Sequence, residues 1–329
     1  MIRQKLDRSR FIFLSFAALL CSILLSACST TTTATTQPTL TEVGIYSAGQ
    51  GSGFLPYAQG VAAYLSANGL KAQALESRGS IENLQKLELE TNRLGTAFLG
   101  TAFEAVNGSA PWTNGKKHTS LRALFPMYET SFQIVALRSA NITMLSQLAG
   151  KRVGVGPAGG PGESFFKGLA EATGLQVQTV AGTPVALAAD LQAGKIDALW
   201  QGASLPIPAI KQVADATDAV VFGLNDVEVA AMLKRFPFLS PTTVAPNMYR
   251  GQVSPIKSVA AWNFVMAHKD LPDADAYFIT KTVLSAADPK AMHASAAPTR
   301  TANAPFNTVV PFHPGALRFY KEQGLQGLK

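Results

Sequence analysis

Three short stretches carry most of the chemistry this chain could do. The first, Gly49-Gln50-Gly51-Ser52-Gly53-Phe54, alternates glycine with small or polar residues between a strand-like run and an amphipathic run. Glycines let the backbone turn tightly and bring N–H groups close to a guest. The helix N-terminus behind them offers unpaired donors and a partial positive charge, suited to a carboxylate or a phosphate. The spacing matches neither a Walker loop nor a dinucleotide fingerprint, which argues against a nucleotide. A plain strand-to-helix turn would use the same residues.

The second stretch, from Gly156 to Ser164, repeats the arrangement and offers Gly159, Gly160, Gly162, Glu163 and Ser164. Two such turns, each opening an α/β half, could face one another across a cleft at strand C-terminal ends, where open α/β sheets bind ligands. In the third stretch, Ser77 to Asn83, Ser80 stands where a helix N-cap belongs, beside Gly79 and Asn83. Arg78 could reach a carboxylate with two N–H groups or remain a solvated loop arginine. A later strand, Ala198-Leu199-Trp200, feeds a loop at Gln201 and Gly202, two further contact candidates.

No catalytic residue is assigned. His118, His268, His293 and His313 are far apart and lack metal-ligand spacing, and there is no Gly-x-Ser-x-Gly elbow. Asp270, Asp273 and Asp275 lack the glycine and terminal glutamate of a calcium loop, so they read as the start of a helix. No metal and no cofactor is expected.

These stretches need strands and helices to hold them, and the sequence supplies both in alternation, the pattern of an α/β fold with parallel strands. Val43–Tyr46, Lys71–Leu75 and Gly95–Leu99 read as strands. Pro56–Asn68, Ser80–Leu89 and Ala102–Asn107 read as helices. Leu121–Leu137 is a long extended stretch, after which the same grammar restarts. Strands are then expected at Lys151–Val155, Val177–Val180, Ala198–Trp200 and Ala219–Leu224. Helices are expected at Ser164–Thr173, Ala186–Ala193 and Pro208–Ala214. Val259–Met266 is strand-like again, and Tyr277–Ala286 and Ala316–Gln323 are helical. Two lobes follow, with strands near 132–137 and 259–266 crossing between them. The first lobe is 40–135 plus 259–329, and the second is 136–258.

The N-terminus reads as a leader. Arg3, Lys5, Arg8 and Arg10 precede the apolar run Phe11 to Leu25, which is short for a membrane span of roughly 20 residues. Leu25-Ser26-Ala27-Cys28 then looks like a bacterial lipoprotein box, making 1–28 a signal peptide with Cys28 acylated. Residues 29–39, polar and uncharged, read as a flexible tether. The whole chain has 28 basic and 21 acidic side chains. The leader holds four and one of these, leaving 24 against 20, a net +4. No basic stripe interleaves with aromatics, so nucleic acid is not an expected partner. A mild positive balance suits an anionic small solute. Both cysteines lie in the leader, so the body has no disulfide and no thiol nucleophile.

From Val43 to Gly324 the body resembles the TAXI family, the extracytoplasmic solute-binding proteins of one branch of TRAP transporters. The matching segments occur in order: the first glycine loop with Pro56; Gly79-Ser80-Ile81-Glu82-Asn83-Leu84; Leu148 to Val153 with its glycine loop; Gly194-Lys195-Ile196-Asp197-Ala198; and His313-Pro314-Gly315-Ala316 with Tyr320, Glu322 and Gly324. The resemblance implies a type II periplasmic-binding-protein fold that closes like a hinged clamp. It also implies a TRAP-type permease as partner and a solute of the glutamate or 2-oxoglutarate class. Ligand contact then falls to Ser52, Gly53 and Phe54, to Gly79, Ser80 and Asn83, and to Gly159 through Ser164. The family's third motif commonly reads Gly-Ser-Gly-Thr. Here Pro161 removes one amide donor, and Glu163 brings a negative charge that either points outward or pairs with a cationic ligand group.

The expectation is therefore a monomeric, lipid-anchored binding protein of the cell envelope, not an enzyme, that captures an organic acid or amino acid. A ligand sensor or an ABC-importer receptor on the same fold is the alternative, and an enzyme on a two-lobed fold the remoter one.

Overall fold

Two long strands organise the molecule. The computed structural model describes residues 38–49 and 52–329. The leader, Cys28, most of the tether, Gln50 and Gly51 lie outside the described residues. In chain order the strands begin with β1 (Glu42–Tyr46), β2 (Lys71–Leu75), β3 (Arg93–Phe98) and β4 (Leu121–Leu137). They continue with β5 (Arg152–Gly154), β6 (Gln178–Val180), β7 (Ala198–Ala203), β8 (Ala219–Phe222), β9 (Ser240–Val244) and β10 (Ile256–His268). The sheet order is β2-β1-β3-β10-β4-β7-β5-β6, with β8 also pairing β4 and β9 pairing β10.

β1 runs parallel to β2 and β3, and β5 parallel to β6 and β7, as expected for strands joined through helices. β4 and β10 lie antiparallel to each other and change neighbours along their length. β10 pairs β3 over Asn263–Ala267 but β9 over Ile256–Ala260. β4 pairs β10 up to Ser131 and β7 from Ser131 to Ala136. Two α/β halves are thus joined through two continuous strands. Where they cross, Pro126 has no N–H to give the ladder, and the register slips on either side of Phe264 and Val265. Asn263 repairs part of the loss, its side-chain amide donating to Tyr128 O at 2.7 Å and Thr130 Oγ1 at 2.9 Å.

The helices are α1 (Phe54–Ala67), α2 (Ser80–Leu87), α3 (Leu99–Asn107), α4 (Pro161–Thr173), α5 (Pro184–Gln192), α6 (Pro208–Ala216), α7 (Asp226–Arg235), α8 (Asp273–Leu284) and α9 (Pro314–Glu322). α1 buries Leu55, Tyr57, Ala58, Val61, Ala62 and Leu65, the three-and-four spacing of one helix face. α7 and β9 lie in a stretch the sequence reading left unassigned. α7 has a full capping box, Asn225 with Glu228. α4 begins at Pro161, three residues before the expected start, because proline suits a helix's first position. Asp275, fully buried, accepts from Thr39 N at 2.6 Å and Leu40 N at 3.0 Å, pinning the point where the described chain begins.

The halves meet through phenylalanines. Phe98 at the end of β3 lies 5.1 Å from Phe165 of α4 and 6.2 Å from Phe238, ring centre to ring centre. Phe103 of α3 lies 5.4 Å from Phe238, and Phe132 stacks on Trp200 at 5.1 Å. Gly100, at the second position of α3, permits this approach: a Cβ there would stand 2.3 Å from Phe165 Cζ.

Candidate functional site

A hollow of about 840 Å³ opens between the halves, beside the phenylalanine contact. Ile81 of α2, Thr101 and Glu104 of α3, and Trp112 form its wall on one side. Gly159, Gly160, Glu163, Ser164 and Lys167 at the start of α4 form the other. The second glycine loop therefore reaches the hollow, and none of the described residues of the first, Gly49 and Ser52 to Phe54, lines it.

The loop's geometry follows from its glycines. Gly156 and Gly159 have φ of +91° and +71°, a left-handed backbone that residues with a side chain rarely adopt. They turn the chain from β5 into α4, whose first N–H groups have no partner within the helix. One nearby donor is already used, since Glu163 Oε2 accepts from Gly159 N at 2.6 Å. Trp200 Nε1 donates to Gly162 O at 3.2 Å and fixes the helix start against β7.

Across the hollow, Glu104 is the group sequence reasoning missed. Its Oε2 accepts from Trp112 Nε1 at 2.9 Å and its Oε1 from Ser164 Oγ at 3.4 Å, a bond between the two halves. Burial raises its pKa above the usual carboxylate value, partly offset by these two hydrogen bonds. No ion pair reaches Glu104, Glu163 or Lys167 among the described residues. Glu171, also at the rim, pairs with Arg235. No periodic signal marks Glu104, which sits in an ordinary amphipathic helix. Only its pairing across the halves distinguishes it.

The other candidates occupy structural positions. Ser52 Oγ accepts from Phe54 N at 3.2 Å, holding the start of α1, and a Cβ on Gly53 would stand 2.9 Å from Tyr128 Oη. Asn83 is wholly buried, donating to Ser47 O at 2.7 Å and Thr96 O at 2.8 Å and accepting from Ser77 Oγ at 2.6 Å. It ties together the ends of β1 and β3. Ser80 Oγ accepts from Phe98 N at 3.1 Å and does not cap α2, whose N-cap is Gly79. Arg78 is exposed and paired with Glu82 at 2.9 Å. Lys86 and, after it, Arg78 hold the Glu82 carboxyl down to about 2. Gln201 lies opposite Gln133 in the β4–β7 ladder, each with a buried amide oxygen that has no partner among the described residues, and Gly202 leaves room for the ring of Phe132. Among the described residues, no three His, Cys, Asp or Glu side chains converge as a metal site would require.

Two α/β halves joined by two crossing strands, with a hollow at their junction, define the two-lobed periplasmic-binding-protein fold. Solved structures share it. The R. palustris protein Rpa4515 with adipate is similar at a TM-score of 0.53 and 14% identity, over 77% of this chain and 86% of that one. The periplasmic binding protein BugD matches at 0.51 and 12%, over 86% and 97%. MatC from Rhodopseudomonas palustris, with bound malate, matches at 0.50 and 13%, over 86% and 96%. The model of the NMT1-like family matches residues 45–324, and the chain belongs to that family.

Proposed function

We propose that this chain is an extracytoplasmic solute-binding protein that captures a small organic acid or amino acid between its lobes. It delivers the solute to a membrane permease of the TRAP type. The lobes are 40–135 with 259–329 and 136–258, and Cys28 carries the lipid that keeps the monomer at the membrane. The observation that carries the reading is the hollow bounded by both halves at the start of α4. Closure around a guest there would sequester it between unpaired helix N–H groups and the opposite wall. The family assignment supports a binding role, as do neighbours solved with adipate and malate. The resemblance to the TAXI family supports the permease.

Mass spectrometry of solutes that copurify with the protein, followed by calorimetry with each, tests the reading. A bound acid or amino acid released unchanged is the expected result. Turnover of the bound solute, or no binding from either class, would sink it.

A further inference from the structure

The charges around the hollow do not suit a simple acid. Among the described residues, Glu104, Glu163 and Glu171 line it against one cation without an ion pair, Lys167. Glu171 is committed to Arg235, and Glu163 to the Gly159 amide. Of the three, Glu104 is the one whose donors, the Trp112 indole and the Ser164 hydroxyl, are neutral and come one from each half. A carboxylate offers about four acceptor sites, so Oε1, with Ser164 Oγ donating from 3.4 Å away, can take another.

A partly desolvated carboxylate facing an open hollow lacks the cation that would best satisfy it. A dicarboxylic acid entering beside the half-buried Glu104 and Glu163 would bring like charges together. A ligand with an ammonium group would relieve that repulsion. Its carboxylate, where it has one, can turn to the N–H groups of Gly162 and Glu163, the first that α4 offers after Pro161 and two and one residues from the serine that touches Glu104.

We infer that the solute taken by this hollow carries a cationic nitrogen, a primary ammonium or guanidinium, which docks on Glu104 beside Trp112 and Ser164. The inference rests on the proposed capture function and narrows it, setting amino acids and related amines ahead of dicarboxylic acids. Closure then gains a specific contact, because the Glu104–Ser164 bond already spans the halves and a cation placed there is held from both.

Calorimetry at low salt with matched pairs tests this: L-glutamate against glutarate, L-leucine against 4-methylpentanoate, and L-arginine alongside agmatine, with adipate and malate added. In at least one pair the ammonium-bearing member should bind tenfold or more tighter than its deaminated partner. Glu104→Gln, which keeps an oxygen for Trp112 but loses the charge, should weaken that binding by about tenfold. Circular dichroism and thermal unfolding check that the variant is folded. If it is not, Ser164→Ala, expected to weaken the same ligand severalfold, and the wild-type pairs decide.

Glutarate, adipate or malate binding as tightly as any amine, or Glu104→Gln leaving amine binding unchanged, overturns the inference while leaving solute capture standing. Silence from every compound overturns both.

Discussion

Asn83 carries more of the first half than its place in a short helix suggests. Its side chain joins Ser47, Ser77 and Thr96 in a buried network. Truncation would leave two buried carbonyls short of a donor. Asn83→Ala should therefore cost about 3 kcal/mol of stability, read as a lower urea midpoint at unchanged slope. Gly79 beside it has φ +100° and ψ −158°, a region essentially open to glycine alone. Gly79→Ala should cost about 1–3 kcal/mol in the same measurement, although a Cβ there would meet nothing closer than Ala48 Cβ at 4.0 Å. The segment Gly79 to Asn83 stood out in the sequence as a possible contact motif. Its network role was not legible there, because Ser47 and Thr96 approach only when β1 and β3 pair.

At the scale of elements, α9 is governed by one imidazole. His313, fully buried, accepts from Gly315 N at 3.2 Å through Nδ1, and so caps the helix as a neutral ring. Desolvation holds its pKa below the ordinary 6.5, against the pull of Asp273. Below pH 6.5 the unfolded chain therefore binds the more protons, so stability rises with pH through that window and falls on acidification. His118 is shifted the same way by burial. Burial raises Glu104 and Glu129 instead, which acts in the opposite sense above pH 4.5. The comparison of wild type with His313→Asn, a capping residue that does not titrate, isolates the ring. Urea unfolding from pH 7.5 to 5 should show a shallower loss in the variant. A parallel loss in both proteins would mean that His313 does not titrate on unfolding. The sequence placed a helix at Ala316–Gln323, and the structure starts it two residues earlier at Pro314, because proline suits the first helical position.

For the whole molecule, the phenylalanine contact decides how closely the halves can approach. A side chain at position 100 must push on Phe165 and Phe238, and those rings are boxed in by Phe98 and Phe236. Gly100→Val should hold the halves apart. Small-angle scattering would then report a larger radius of gyration, and solute binding would weaken by tenfold or more. Adding Phe165→Ala should restore compactness, at a stability cost of about 3–5 kcal/mol for the lost ring. An unchanged radius in the single variant would show that the contact yields without opening the molecule.

The alternation of strand and helix, the two glycine turns and the long extended stretch at 121–137 were all present in the order of residues, because periodicity, caps and turn chemistry act over a few positions. The register of β4 and β10 was not, nor the change of partners along them. That arrangement sets Glu104 against Ser164, 60 residues further along the chain, and leaves the described residues of the first glycine loop off the wall of the hollow. Contacts of that range depend on how two long strands cross, with Pro126 interrupting one and Asn263 bridging the gap. Local sequence gives each half its parts, and only the packed crossing decides which side chains share a wall.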